Sequence, residues 1–565
     1  MANEPKIFDF ETLEKTPAEE LPSTILQYDI VELEAEDLSA YKKLRFKDNA
    51  KVMLGGNEPL PQSLDLTNCQ EVDLSGRDTS KISPQKLKAG STFHYANVTQ
   101  SNLKINNIPP LAPNVDISRC QKVEINNADL SLLPDLKFAK NAEVSLAGCT
   151  NLPQNLDFSN LNTVNLSGCD ISKLKNLEFK KGAAVDLSYI QNFPENLDLA
   201  NLNAVDLSGC DLSKIKSLKF KQGASVSLSG AQNLPENLDL SDLNAVDLSG
   251  CDLSNVKNIK FKEGATVNLS KCKNLPENLD LSNLSAVSLA KCDITKINLK
   301  FKDGASVDLS QTTPVSMDEL DLSNCKTVNL SNADLMFVNN NIKFKDDAQV
   351  NLSHAQNLPE MDVSNLSMVD LSGCDVSQIK NFRFKDNAEV DLRATKNLPE
   401  NPDVSNCSNV WLTFNQTNDM KTGQANLVLA GIGPQNVDVS KLQNFTTAPT
   451  DHPMFNTNHV SLLSTKSFTF KNEQQYNDYK KDPNNPKLPP KCQIIFADRE
   501  KLKAELKEQT GEYLSSPLNT ARTIRLDKAL ENKEKTTPAP QKETPSQENS
   551  PLALQALNAR RQNTH

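Results

Sequence analysis

Aspartates recur every 41 residues through the middle of the chain, at Asp116, Asp157, Asp198, Asp239, Asp280, Asp321, Asp362 and Asp403. Each sits in a segment resembling Asn-Leu-Asp-Leu-Ser, usually preceded by Leu-Pro-Glu. Closely placed carboxylates can exchange protons with a substrate or hold a hard cation. Here they recur in every unit, so their abundance singles out no one site. The other reactive types are sparse: His94, His354, His452, His459 and His565 are scattered, with no serine or cysteine triad pattern around them. Phosphate-binding Gly-x-x-x-x-Gly-Lys-Ser/Thr, metalloprotease His-Glu-x-x-His and hydrolase Gly-x-Ser-x-Gly segments are all missing. The sequence therefore predicts a protein that is not an enzyme and needs no cofactor.

Twelve cysteines could suggest a disulfide or zinc framework. Their positions argue otherwise. Cys169, Cys210, Cys251, Cys292 and Cys374 share one repeat slot, and Cys69, Cys120, Cys325 and Cys407 share another, where other units carry Leu161, Leu202 or Leu284. A cysteine that interchanges with leucine is a small buried hydrophobe. No Cys-x-x-Cys pair offers zinc its usual ligands, and free thiols imply a reducing compartment.

The elements that position these residues follow from the period. A fixed repeat of this length is the signature of a stacked architecture in which each unit contacts only its neighbours. Each unit divides into coils of 20 and 21 residues, with apolar-x-apolar segments at Val164-Asn165-Leu166 and Val185-Asp186-Leu187. Period-two alternation is the strand signal, with the middle residue outward. The segment starts at 31, 52, 72, 93, 123, 144, 164, 185, 205, 226, 246, 267, 287, 307, 328, 350, 369, 390 and 410, with weaker coils at Leu427 and Val460. The longer step after Phe93 marks an insertion around residues 96–114. A second strand is expected at Leu156-Asp157-Phe158 and Leu177-Glu178-Phe179 and their equivalents. Phe46, Phe138, Phe179, Phe220, Phe261, Phe301, Phe344, Phe384 and Phe470 recur there and are expected to stack as an internal ladder. Three residues on, Asn49, Asn141, Gly182, Gly223, Gly264, Gly304, Asp347 and Asn387 predict a left-handed turn, followed every time by alanine at a tight corner. The fold class is mainly β: a parallel β-solenoid of about twenty coils.

Leu161-x-x-Val164-x-Leu166-x-x-Cys169-x-Ile171 resembles the leucine-rich repeat pattern, as do Leu202–Leu212 and Leu243–Leu253. With its short coils and recurring Leu-Pro, the chain resembles the short leucine-rich repeats of bacterial proteins over about residues 25–470. That resemblance implies a strand-lined face that binds protein, and several such bacterial proteins are effectors delivered into host cells. In alternate coils the cysteine-x-leucine spacing is lost by one residue, as after Val185-Asp186-Leu187, so a two-sided parallel β-helix stays open as the geometry. The cysteine-dependent ubiquitin-ligase activity of some relatives is not carried over, because Cys492 lacks the Cys-x-Asp motif.

Two outward columns differ in character. The second strand reads Asp198, Lys219, Asp239, Lys260, Asp280, Lys300, Asp321, Lys343, Asp362, Arg383, Asp403, alternating in sign, which supports register more than function. The first strand reads Asn165, Asp186, Asp206, Ser227, Asp247, Asn268, Ser288, Asp308, Asn329, Asn351, Asp370, Asp391, without a compensating lysine. Trp411, the sole tryptophan, falls in the same column. Asp186, Asp206, Asp247, Asp308, Asp370, Asp391 and Trp411 form the candidate docking strip for a basic protein partner. Calcium is disfavoured, since the Gly-Gly-x-Gly-x-Asp coils that bind it are missing. A carbohydrate-binding or carbohydrate-active β-helix is the alternative, weakened by 5% aromatic residues.

The net charge of −11 argues against nucleic acid, and no apolar run is long enough to span a membrane. The first residues lack the basic and apolar regions of a cleavable signal. The expected location is cytoplasmic, or exported without such a signal, into a host cell in the effector reading. Residues 1–24 are expected to cap a solenoid over 25–472, with a linker and short helix over 473–532 and a disordered tail over 533–565. Within that tail, residues 551–562 form a short amphipathic segment, read as an export or partner-binding signal.

Overall fold

The computed structural model describes residues 4–501 with interruptions, the longest at 97–109, 313–319, 431–435 and 447–461. The coil expected at Val460, the body of the insertion after Phe93 and the tail therefore lie outside the described residues. Two compact units are present. The first comprises residues 1–435, 442–464 and 483–489; the second comprises 436–441, 465–482 and 490–565.

The first unit is a parallel β-solenoid. Among the described residues, 22 strands form one sheet, and every pairing in it is parallel. The register is the one the apolar segments predict: Val144, Val164, Val185, Val205, Val226 and Val246 pair in succession. Phe93 pairs directly with Val123, so the ladder runs on unbroken across the longer step. The driving force is aliphatic: Val185, Leu187, Val205 and Leu207 are all buried, each worth about 1.5–3 kcal/mol on leaving water. No coil can bury them alone, which is why the units stack. At the start, Ile7–Phe8 pairs with Ile30–Glu32 and adds a strand ahead of the first Val-x-Leu segment, followed by a helix at Phe10–Lys15 capped by Asp9.

Corners are set by backbone handedness. Asn49, Asn141, Gly182, Gly223, Gly264, Gly304, Asp347 and Asn387 all have positive φ, and the alanine after each is buried. A second left-handed column follows the first strand at Gly168, Tyr189, Gly209, Gly230, Gly250, Lys271, Lys291, Gln311 and His354. Its mixture of residue types hid it from a reading based on glycine.

Two expectations are corrected. The second strand forms only in short pairs, such as Asp239–Leu240 with Lys260–Phe261 and Leu320–Leu322 with Ile342–Phe344. These pairs set opposite charges side by side, and in the earlier coils Arg45 reaches Asp65 at 3.3 Å and Lys86 reaches Asp116 at 2.9 Å. The phenylalanines also form no continuous ladder, although Phe46, Phe301 and Phe384 are buried as expected. Phe138, Phe179, Phe220, Phe261 and Phe344 are only half-buried. Successive members lie two coils apart, about 9.6 Å at sheet spacing, beyond ring-stacking range. Leu240 and Leu322 occupy the coils between. Where Phe158 replaces that leucine a ring pair forms with Phe179 at 6.1 Å, and Phe384 pairs edge-on with Phe382 of its own coil at 5.0 Å.

The second unit is a three-stranded parallel sheet of Asn436–Asp438, Ser467–Phe470 and Gln493–Phe496 with a helix at Glu473–Lys481. Asn472 caps that helix, its side chain accepting from Gln475 N at 3.0 Å. Phe468, Phe470, Tyr476 and Tyr479 pack together, so Phe470 belongs to this cluster and not to the solenoid column. The helix expected at Arg499 begins at residue 497.

Candidate functional site: the strand-face strip

Each aspartate of the strip but one is the first residue of an Asp-x-Ser segment, Asp391 beginning Asp-Leu-Arg instead, and each carboxylate closes an Asx turn. Ser188 N donates to Asp186 Oδ1 at 2.9 Å, Ser208 N to Asp206 at 2.8 Å, and Ser249 N to Asp247 at 2.8 Å. Asp308 accepts three bonds, from Ser310 N at 3.0 Å, Ser288 Oγ at 2.9 Å and Asn329 Nδ2 at 2.9 Å. In coils carrying asparagine the side-chain oxygen does the same work: Ser167 N donates to Asn165 Oδ1 at 2.8 Å, and Ser270 N to Asn268 at 3.0 Å. The column thus requires a side-chain oxygen two residues before a backbone N–H that the strand no longer uses. Charge is optional for the fold, so the aspartates that carry it are available for another purpose.

Exposure divides the strip in two. Asp186, Asp206, Asp247 and Asp308 are half-buried, with a carboxylate edge at the surface. Beside them runs a column of small residues, Ala184, Ala204, Ser225, Ala245, Thr266 and Ala286, in register with one another. The other flank carries Gly209, Gly230 and Gly250 between Tyr189 and Lys271. The result is a flat, lightly furnished face over these coils. Sequence reading missed the small-residue column, although it is legible as the residue before each valine.

Farther along, the expected exposure fails. Asp370 and Trp411 are each 2% exposed, and Asp391 is fully buried. Trp411 pairs in register with Asp391 and Val428, and it packs with Met368 and Val428. Arg393 donates to both oxygens of Asp391, at 3.0 and 2.9 Å from Nε and 2.6 Å from Nη2. The strip ends here in a closed polar cluster: three of the seven candidate residues cannot touch a partner in this conformation. The long side chains Met368 and Trp411 replace the alanines and aspartates that leave the earlier face open.

At the opposite end the same face carries an ionic network. His94 Nδ1 lies 2.7 Å from Glu124 Oε2 and its Nε2 3.3 Å from Glu71 Oε1, while Lys51 reaches Glu71 at 2.9 Å and Lys122 reaches Glu124 at 2.6 Å. The Lys51 ammonium and His94 help hold the Glu71 carboxyl below its usual range, against the opposing effect of burial.

All twelve cysteines are free and all but Cys492 are buried. Cys149 and Cys272 join the column of Cys169, and its thiols donate to a leucine or isoleucine carbonyl of the preceding coil: Cys149 to Ile125 O at 3.1 Å, Cys169 to Leu146 O at 3.0 Å, Cys251 to Leu228 O at 3.0 Å, Cys272 to Leu248 O at 3.0 Å. Burial pushes the Cys251 thiol up to about 11 and Cys149 up to about 12. Arg77 fills the same slot earlier in the chain. Its Nε donates to Leu54 O and its Nη1 to Glu36 O, at 3.0 Å, and to Glu58 O, tying three coils through their carbonyls.

Among the described residues no group of three or more histidine, cysteine or acidic side chains could hold a metal ion, and no helix is long and apolar enough to cross a membrane. A groove lies outside the strip, lined by Asp135, Phe138, Lys140, Asn155, Asp157 and Asn160. Comparison with protein-family models, with curated proteins and with solved structures gives no match.

Proposed function

We propose that this chain is a non-enzymatic binding scaffold, a solenoid of leucine-rich-repeat type, that docks a basic protein through the half-exposed carboxylates Asp186, Asp206, Asp247 and Asp308. One observation carries the reading: these positions need only a side-chain oxygen for the fold, yet they hold a carboxylate, on a face whose flanking columns are mostly alanine, serine and glycine. Small neighbours let a partner backbone or long basic side chains approach the carboxylates, and opposite charge speeds and orients that encounter. Asp370, Asp391 and Trp411 support the end of this face from within. In keeping with the resemblance of its repeats, we place the protein among exported bacterial effectors that act in a host cell.

The experiment is a capture with the full chain as bait, run beside a variant carrying Asp186→Asn, Asp206→Asn, Asp247→Asn and Asp308→Asn. Asparagine keeps each Asx turn, so the variant folds with the charge removed. A basic protein retained by the wild type and lost by the variant supports the reading; retention by both, or capture of glycans alone, refutes it. Glycans would favour the carbohydrate alternative, whose one local support is the groove beside Phe138.

A further inference from the structure

The closed cluster at the end of the strip carries an electrostatic imbalance. Asp370 and Asp391 are opposed in register on adjacent strands, both buried, and among the described residues Arg393 is the cation paired with them. Arg393 is committed to Asp391 by its bidentate contact. Asp370 has Ser372 N, at 2.8 Å, as a donor. Two buried carboxylates against one guanidinium leave a net negative charge out of water, which a protein relieves by taking up a proton.

We propose that Asp370, Asp391 and Arg393 form a proton-controlled latch beneath Trp411: with a proton on Asp370 the coils close over the pair, and its loss toward neutral pH loosens them and uncovers the tryptophan. The carboxyl of Asp370 is indeed pushed up to about 6, by burial first and by Asp391 second. A group whose folded-state value is raised stabilises the closed form below its unfolded value, and that contribution is lost as pH rises through the folded one. The window therefore runs from the ordinary aspartate range up to about 6.

The other groups on this face do not supply the missing charge. Asn351 stands opposite Asp370 on the preceding strand and is neutral. Glu389, two residues before Asp391, accepts from Asn409 Nδ2 at 3.1 Å. The next two strands present Asn409, Trp411, Asn426 and Val428, none of them titratable. His354 lies outside the cluster, exposed, with its ring over Gly373. Its imidazole is the nearby group that the test must separate.

Because Trp411 is the only tryptophan, its fluorescence reports on this cluster alone. Acrylamide quenching of the full chain is followed between about pH 4 and about pH 8. The expected result is weak quenching in mild acid, rising severalfold toward neutral pH. Asp370→Asn should abolish the transition and keep Trp411 protected throughout; asparagine already closes the same turn at Asn329 and Asn351, so this variant folds. His354→Asn should leave the transition in place. Quenching that does not change with pH in the wild type, a transition that persists in Asp370→Asn, or one that vanishes in His354→Asn would each overturn the latch.

Discussion

A Cβ placed on Gly209 would come within 2.6 Å of Tyr189 Cδ1. Tyr189 itself occupies the left-handed column one coil earlier, at φ 60°, and is 65% exposed. The ring thus spends its turn on a neighbour that has no side chain. Replacing Gly209 by alanine forces both a left-handed alanine and displacement of the ring. The expected cost is about 1–2 kcal/mol for the backbone alone, with more for the ring. Tyr189→Gly should be neutral or stabilising, since it removes strain and little buried area. Urea denaturation of the two variants measures both signs.

Arg77 should be the most sensitive single residue in the first coils. Truncation to alanine leaves the carbonyls of Leu54, Glu36 and Glu58 without their donor, at about 1–3 kcal/mol for each one that stays buried. Arg77→Cys installs the residue that later coils use at this slot and should recover the bond to Leu54 only. Hydrogen exchange is the fitting readout. Protection should fall in the coils around residues 33–77 and persist beyond residue 200, because each coil leans only on its neighbours.

The thiols should be unreactive in the native protein. Eleven are buried, and ten of these, Cys69 and Cys374 among them, are held at about 11 or above by burial, far from the thiolate that attacks disulfide reagents. Labelling with such a reagent at neutral pH should modify Cys492 alone, and all twelve after denaturation. Rapid labelling of Cys251 in the native state would contradict the packed column.

Acid should unfold the solenoid through its Asx turns. Asp157, Asp170, Asp239, Asp280, Asp293 and Asp321 lie below the usual aspartate value, chiefly because a serine or threonine side chain and backbone N–H donate to each. A depressed value stabilises the fold above the unfolded one, and that contribution is lost as pH falls through the aspartate range. Circular dichroism during an acid titration should show a transition below about pH 4. Asparagine at Asp239, Asp280 and Asp321 together should shift it to lower pH, since an amide keeps the turn without a proton to gain.

The spacing of valine, leucine and aspartate was enough to specify the coils, their parallel register and the left-handed corner before each buried alanine. Those features are local or nearest-neighbour: an apolar pair every coil has one way to be buried, and Asn, Asp or Gly before alanine has one favourable turn. The Asp-x-Ser signature was visible as a repeat, but its dual role, turn closure with charge to spare, needed the distances. Tertiary structure alone decided which of the strip's charges reach the surface. Asp206 and Asp391 occupy the same slot, one beginning Asp-Leu-Ser and the other Asp-Leu-Arg; the first is half-buried and the second is sealed by Arg393 and Trp411. The difference lies in the neighbours across the sheet, alanines and glycines in one place, methionine and tryptophan in the other. Arg393 comes from Asp391's own coil, but Met368 and Trp411 come from its neighbours, so the burial is a property of the assembled face.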